Sequence, residues 1–577
     1  MKPIFTYLLL FCLISCVTPY RADDPGLQKV GLLTGHTRSQ HEAFEKNIMI
    51  TTQGVETTKA GLRMIELGGN AFDAAAAISF AISVERPHST GIGGGGFMVV
   101  DGPLITSPEA IDFREKAPLK GHSKMFLEKD GSPSKDKSID GVLASGVPGL
   151  VKGVYEMHKK YGALPWNKVV QPAIDLARNG FKVYPNLAKA LKYRKDVLSR
   201  FPASVKIFFS DGEPLAEGDL LIQEDLAKTL EAIRDNGPDG FYKGWVARSI
   251  TKEFKKRGGL ITQKDLDLYN VKWRKPVEGK YKDYKIYSMP PPSSGGTHVI
   301  QILNTLEPFN LKSSGVQSAK TIHRTATAMQ LAFVDRARYM GDSDFIKVPI
   351  KGLTSKSYSK TLTSKINNKA LKIKEDDLLD AFKYESDETT HFTIADGKGN
   401  IVSSTQTINY WMGSGHVVPG TGIVMNDEMD DFSIKEGASN FFGAVGGKNN
   451  LVEPEKRPLS SMSPTIVKKD GKTILALGTP SGTRILTCVA QVMLNYLEHE
   501  LSLWDAVSAT RIHHQWSPDS IRIGNPGFEL NTESKLLSMG HKLEKKNLGC
   551  KIQAISIERG KLHGVSDPRG EGLAKGL

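Results

Sequence analysis

A chain of 577 residues with 39% hydrophobic and 24% charged residues has ample material for a large buried core or two domains, and no repeat or low-complexity array runs through it. Its formal net charge of +13 comes from scattered lysines and not from a compact basic block. With no basic motif of a recognisable fold, nucleic acid is excluded as a partner, and the charge reads as a solvated surface with weak affinity for anionic membranes or polymers. No zinc-type cysteine spacing exists.

The chain opens with an export leader. Lys2 supplies a thin positive start, and 4–14 is an apolar run too short to cross a bilayer as a mature helix. It ends in Leu13-Ile14-Ser15-Cys16, which resembles the lipobox of bacterial lipoproteins, with Cys16 as the lipid-bearing first residue of the mature chain. Plain cleavage slightly later is the alternative, although Tyr20-Arg21-Ala22 offers a small residue at only one of the two key positions. The expected location is therefore periplasmic, or lipid-anchored to a bacterial membrane. Of the four cysteines only Cys488 and Cys550 lie beyond the leader, and whether they pair stays open.

Residues 23–45 are polar and read as loose; 56–85 read as helices broken at Gly68-Gly69-Asn70. Gly91-Ile92-Gly93-Gly94-Gly95-Gly96 matches GxGxxG literally, but a helix precedes it and the strand-like Phe97-Met98-Val99-Val100 follows. A dinucleotide site needs the reverse order, so the segment reads as a loop of close backbone approach. Arg114 follows the next strand and suits either a surface ion pair or a bidentate carboxylate clamp. Residues 148–270 alternate amphipathic helices with short loops. Tyr284 to Met289 is a strand running into a rigid Pro290-Pro291-Pro292-Ser293-Ser294-Gly295-Gly296 turn, and helical pattern continues to Arg338. The Lys-, Ser-, Asp- and Glu-rich stretch 355–388 reads as exposed, a natural place for a chain break. Near the end, helices are expected at 485–497 and 503–511.

After that break the composition turns strand-like. Thr389 to Ala395 and Ile401 to Asn409 are two strands around Asp396-Gly397-Lys398-Gly399-Asn400, a half-buried hairpin. If it is symmetric about Lys398, Thr389 stands opposite Thr407, and His391 and Thr393 share the face of Thr389. A cut at Glu388–Thr389 would make Thr389 an N-terminus. Its hydroxyl would then be a nucleophile, and its own α-amine, with a reference pKa of about 7.7–8.0, a base poised near neutral pH.

The chain resembles the γ-glutamyltransferase family of N-terminal nucleophile hydrolases over residues 45–577. The likeness rests on Glu66-Leu-Gly-Gly-Asn-Ala-Phe-Asp, Gly93-Gly-Gly-Gly-Phe-Met, Asp112-Phe-Arg-Glu, Ser288-Met-Pro-Pro-Pro-Ser-Ser-Gly-Gly, Thr389-Thr-His-Phe, Asn426-Asp-Glu-Met-Asp-Asp-Phe-Ser, Arg457-Pro-Leu-Ser-Ser-Met-Ser-Pro-Thr and Ser566-Asp-Pro-Arg, all in family order. The resemblance implies an α+β fold, a four-layer αββα sandwich. It implies a precursor split into a large subunit, 16–388, and a small subunit, 389–577, packed as one domain. Thr389 would be the nucleophile for self-cleavage and for attack on the γ-glutamyl amide of glutathione, with Thr407 supporting it. Arg114, Ser460 and Ser461 would bind the donor's α-carboxylate, Asp431 and Glu428 its ammonium, and Asn409 would also contact the glutamyl group. Backbone N–H groups of Ser481 and Gly482 would form the oxyanion hole, and the route would need no metal or other cofactor.

Three departures from the family pattern stand out. Ser481 replaces the first of two glycines, Phe442 stands where several bacterial relatives carry a lid tyrosine, and Glu428 where some have Gln. His391, His513 and His514 are expected to be structural. The acceptor would be water, an amino acid or a peptide. Rival readings are an acylase or poly-γ-glutamate hydrolase of the same family, or a non-catalytic surface lipoprotein.

Overall fold

Thr390–Asp396 and Ile401–Thr407 form the expected hairpin, with Thr390 opposite Gln406 and Ala395 opposite Ile401. This register is centred on Lys398 and sets Thr389 and Thr407 one step beyond the last pair. The Asp396 carboxylate closes the turn by accepting the N–H groups of Lys398 and Asn400. The computed structural model describes residues 37–134, 136–373, 389–435 and 447–577. The leader 1–15, Cys16, Glu388 and Phe442 lie outside the described residues.

The hairpin forms the middle of a seven-stranded antiparallel sheet. Its order is Leu573–Gly576, Ile48–Thr52, Thr390–Asp396, Ile401–Thr407, Gly95–Asp101, Glu109–Asp112 and Lys272–Arg274. A second antiparallel sheet runs Glu42–Glu45, Lys561–Ser566, Gln553–Glu558, Lys472–Gly478, Thr465–Lys469, Tyr284–Ser288 and Val277–Tyr281. Side chains alternate faces along each strand. In the first sheet Ile48, Ile50, Met98, Val100, Phe392 and Ile394 pack on a core shared with the helices Ala71–Glu85, Leu150–Tyr161 and Trp166–Asn179. The intervening Met49, Phe97, Val99 and Ala395 join Leu475, Leu477 and Ile555 of the second sheet, in a core that extends to Gly295–Leu306, Ala319–Tyr339 and Arg484–Leu497. The layers are helix, sheet, sheet, helix, as the resemblance implies.

Ala71–Glu85 is buried along its whole length, which its run of small side chains permits. Asn70 caps it, accepting from Phe72 and Asp73 N–H, while the Asp73 carboxylate accepts the Asn70 N–H. The glycines that follow serve close approach. A Cβ on Gly94 would lie 2.1 Å from the Thr407 carbonyl oxygen, and one on Gly93 2.2 Å from that of Val424.

Several expectations are corrected. The hairpin is not half-buried: every residue of both strands is buried. Its hydroxyls are satisfied across the sheet interface, where Thr393 Oγ1 donates to Gln553 O at 3.0 Å and Ser403 Oγ to Leu477 O at 3.1 Å. The stretch 355–388 is not uniformly exposed. Lys356–Thr363 is a helix capped by Ser355, with Ser359 and Leu362 buried, and Ile366 and Ile373 pack on the second core. Residues 374–388 lie outside the described residues. The segment read as loose up to residue 45 holds the short helix Arg38–His41 and the edge strand Glu42–Glu45. The helix from Leu503 stops at Ser508. The open cysteine question is answered by a Cys488–Cys550 disulfide, buried between the helix Arg484–Leu497 and the segment before Gln553. Among the described residues no helix is long and apolar enough to cross a membrane.

Candidate active site

One pocket is lined by Thr389, Thr407, Asn409, Arg114, Glu428, Asp431, Ser460, Ser461 and Gly482. These residues come from six separate stretches of the sequence. Thr389 enters at the head of the inner strand and is 5% exposed. At the end of the partner strand, Asn409 takes a positive φ of 75°, a conformation Asn tolerates, and its N–H donates to Thr407 Oγ1 at 2.8 Å. An Oγ1 that accepts in this way keeps its own proton for another acceptor. Asn409 Nδ2 donates to Asp427 O at 3.0 Å, tying the strand end to the acidic segment.

That acidic segment is a single 3₁₀ turn, Glu428–Asp431. Residues three apart eclipse each other on a 3₁₀ turn, so Glu428 and Asp431 face the same way. Both meet Arg114, whose Nη1 donates to Glu428 Oε1 and whose Nη2 donates to Asp431 Oδ2. The guanidinium is held in place by the carbonyls of Pro458 and Leu459, at 3.3 and 3.5 Å. Burial alone would make Arg114 a weaker cation, but the Glu428, Asp431 and Glu115 carboxylates outweigh it and raise its pKa. Burial acts the other way on Glu428 and, against the pull of Arg114, pushes its pKa up to about 8. Glu115 is fully buried 4.0 Å from Arg114, and burial, then the charge of Glu428, hold it well above the usual carboxylate range.

Ser460 and Ser461 follow Arg114's carbonyl anchors in the chain. Ser460 N–H donates to Pro292 O, and Ser294 N–H returns to Ser460 O, so the Pro-rich turn seen in the sequence frames the serine pair. The strand Lys472–Gly478 then leads through Thr479-Pro480-Ser481-Gly482 into the helix Arg484–Leu497. Gly482 lines the pocket and Ser481 adjoins it without being one of the lining residues. Ser481 has φ 112° and Gly482 φ 53°. The glycine takes such angles freely; the serine does not. Ser481 is held there by its hydroxyl, which donates to Leu548 O at 2.6 Å and accepts from Arg484 Nε at 3.1 Å.

Strain and hydrogen bonds therefore oppose each other at Ser481, and two variants separate them. Ser481→Ala keeps the strain and loses both bonds; Ser481→Gly loses the bonds but relieves strain of about 1–3 kcal/mol. In urea unfolding the Gly variant should be the more stable of the two by at least about 1 kcal/mol. Equal midpoints would remove the strain argument.

His391 is fully buried, bonded to Thr405 Oγ1 at 2.8 Å and Thr393 Oγ1 at 3.1 Å, and burial lowers its pKa to about 3. It packs against Gly478, where a Cβ would come within 2.2 Å of its ring, so it supports the strand that leads to Ser481. His513 pairs with Thr487 Oγ1 inside the fold. Among the described residues no group of three or more His, Cys, Asp or Glu side chains is arranged to hold a metal ion. Sequence reasoning missed Glu115, Thr483 and Arg336. The last lines the pocket from the helix Ala319–Tyr339, where a basic residue near a helix end carries no sign of it.

A strand-initiating threonine in a pocket at one end of two packed sheets, inside an αββα sandwich, is the architecture of the N-terminal nucleophile hydrolases. The cephalosporin acylase of Bacillus halodurans superposes with a TM-score of 0.84 at 27% identity, covering 93% of this chain and 97% of that one. The Helicobacter pylori γ-glutamyltranspeptidase matches at 48% identity and a TM-score of 0.53, over 54% of this chain and 90% of that one. Residues 57–577 match the γ-glutamyltranspeptidase family, and the chain belongs to it. The "Glutathione hydrolase proenzyme" of Escherichia coli (strain K12) is 46% identical over 92% of this chain and 91% of its own. That of Bacillus subtilis (strain 168) is 39% identical over 99% and 98%.

Proposed function

We propose that this protein is a self-processing γ-glutamyltransferase and glutathione hydrolase, and that Thr389 carries the acyl group. The observation that supports this most is the set of charges gathered around Thr389: the Arg114 guanidinium and two serine hydroxyls, with the Glu428 and Asp431 carboxylates that Arg114 contacts. A free γ-glutamyl head group is a zwitterion and needs both.

In the precursor, Thr389 Oγ1 attacks the Glu388 carbonyl. The C–N bond breaks, an ester forms, and water cleaves it to leave 16–388 and 389–577 packed as one domain. The freed Thr389 amine then takes the hydroxyl proton as Oγ1 attacks the γ-carbonyl of the donor. The Thr407 hydroxyl orients Oγ1, and the N–H groups at Ser481 and Gly482 receive the oxyanion. The proton passes to the leaving amine, and a γ-glutamyl-Thr389 ester remains. Water, an amino acid or a peptide amine attacks that ester and restores Thr389. Arg114, Ser460 and Ser461 hold the donor's α-carboxylate; Asp431 and Glu428 hold its ammonium; Asn409 also contacts the glutamyl group. A leader ending at residue 15 exports the chain, and Cys16 takes the lipid. The buried Cys488–Cys550 disulfide supports an oxidising compartment.

The purified protein should run as two fragments, the smaller starting at Thr389, and release aniline from γ-glutamyl anilide but not from glutaryl anilide. Preference for the glutaryl compound would make it an acylase. An uncut, inactive chain would make it a binding module. Mass spectrometry of a mature end beyond residue 16 would remove the lipid anchor.

A further inference from the structure

The pocket contains a second guanidinium. Arg336 is 5% exposed, comes from the helix Ala319–Tyr339 and lines the same cavity as Thr389. Arg114 is occupied by Glu428 and Asp431, whereas Arg336 bonds to hydroxyls: Nη2 donates to Ser461 Oγ at 3.2 Å and Nε to Ser294 Oγ at 3.0 Å. Among the described residues it forms no ion pair within 4 Å.

The direction of these bonds matters. A guanidinium only donates, so Ser461 Oγ is the acceptor and its own proton is left to give elsewhere. Ser460 is in the same state, since its Oγ accepts the Met462 N–H at 3.1 Å. Ser294 relays the bracing. It accepts from Arg336 and donates its hydroxyl to Ser460 O at 2.8 Å, fixing the backbone that carries the pair. Two adjacent serines are thus held with protons to donate, backed by a buried positive charge. Such a site is made for a carboxylate.

We propose that Arg336 sets recognition of the donor's α-carboxylate, fixing the Ser460–Ser461 hydroxyls and supplying the positive charge behind them. This rests on the reading that the serine pair binds that carboxylate. It gives the carboxylate two cations: Arg114, which also fixes Glu428 and Asp431, and Arg336, which fixes the serine pair. Burial weakens the Arg336 cation, bringing its pKa to about 10 with Asp431 opposing, so it stays charged at neutral pH and gains from an anionic ligand.

The test compares γ-glutamyl anilide with γ-aminobutyryl anilide, which lacks only the α-carboxylate. In the processed Arg336→Met enzyme, KM for the γ-glutamyl compound should rise about 10- to 100-fold, the effect of losing a charge-assisted contact. The kcat/KM for the γ-aminobutyryl compound should change less than about threefold. Arg336→Lys should recover part of the loss. If Arg336→Met does not process, Ser294→Ala leaves the charge and cuts the relay, and should raise KM selectively by a smaller factor. Equal losses on both substrates, or no loss on either, would overturn the proposal. If wild type and Ser461→Ala both fail to distinguish the two substrates, the serine pair is not the carboxylate site, and the function reading falls at that point as well. A wild-type preference lost in Ser461→Ala but kept in Arg336→Met would sink the Arg336 proposal alone.

Discussion

Thr389→Ala is expected to remain one uncut chain and to release no aniline from γ-glutamyl anilide. The methyl group cannot form the ester that breaks the Glu388–Thr389 bond, so neither the nucleophile nor its amine base appears. Loss of a nucleophile alone lowers kcat by about 10⁴-fold or more. Here two functions of one residue disappear together. Thr389→Ser keeps the hydroxyl and should both process and turn over, more slowly. Thr407→Val should process and turn over slowly as well, because the Oγ1 that accepts from Asn409 N–H, and that we propose orients Thr389, is gone while the strand packing remains. Gels, N-terminal sequencing and anilide kinetics on the three variants decide the matter. A Thr389→Ala chain cut between residues 388 and 389 would place the nucleophile elsewhere.

The hairpin shows how much local chemistry discloses. Thr- and Ile-rich arms around a Gly-Lys-Gly turn led to the pairing, and the observed register has the same centre. What they concealed was burial. The arms' threonines and serines suggested a half-buried hairpin, but an inner strand can bury hydroxyls whenever a neighbouring carbonyl accepts them, as Leu477 O does for Ser403 and Gln553 O for Thr393. Lys356–Thr363 was concealed in the same way, its lysines and serines hiding a helix that needs only Ser359 and Leu362 to anchor it. Arg114, Thr389, Glu428, Asp431, Ser460 and Ser461 were found from the sequence because they lie in dense motifs. Arg336 was missed because its meaning depends on Ser294 and Ser461, 42 and 125 positions away. The Cys488–Cys550 pairing, across 62 positions, depended likewise on the fold.

The second large effect is expected at Arg114, and its pH dependence at Glu428. Arg114→Met removes a cation that Glu428 and Asp431 both contact. Breaking a buried ion pair from one side costs about 3–5 kcal/mol, and the stranded carboxyls will take up protons. They then cannot hold the donor's ammonium, so kcat/KM should fall at least about 10²-fold and unfolding should occur at lower urea. In wild type the burial of Glu428 moves its titration up to about pH 8. Ionised Glu428 attracts the ammonium and protonated Glu428 does not. KM should therefore fall as pH rises from about 6 to 8, by up to about tenfold per unit, and level off above that. Stability moves the other way. A carboxyl with a folded pKa above its unfolded value contributes most below the unfolded pKa of about 4.5, and that contribution is lost as pH rises through about 8. Glu428→Gln should abolish the KM trend and weaken the stability trend, to which buried Glu115 also contributes, while leaving Asp431 on Arg114. The two readouts check each other: a KM slope that survives in the Gln variant would assign the titration to another group, with Glu115 the first to replace.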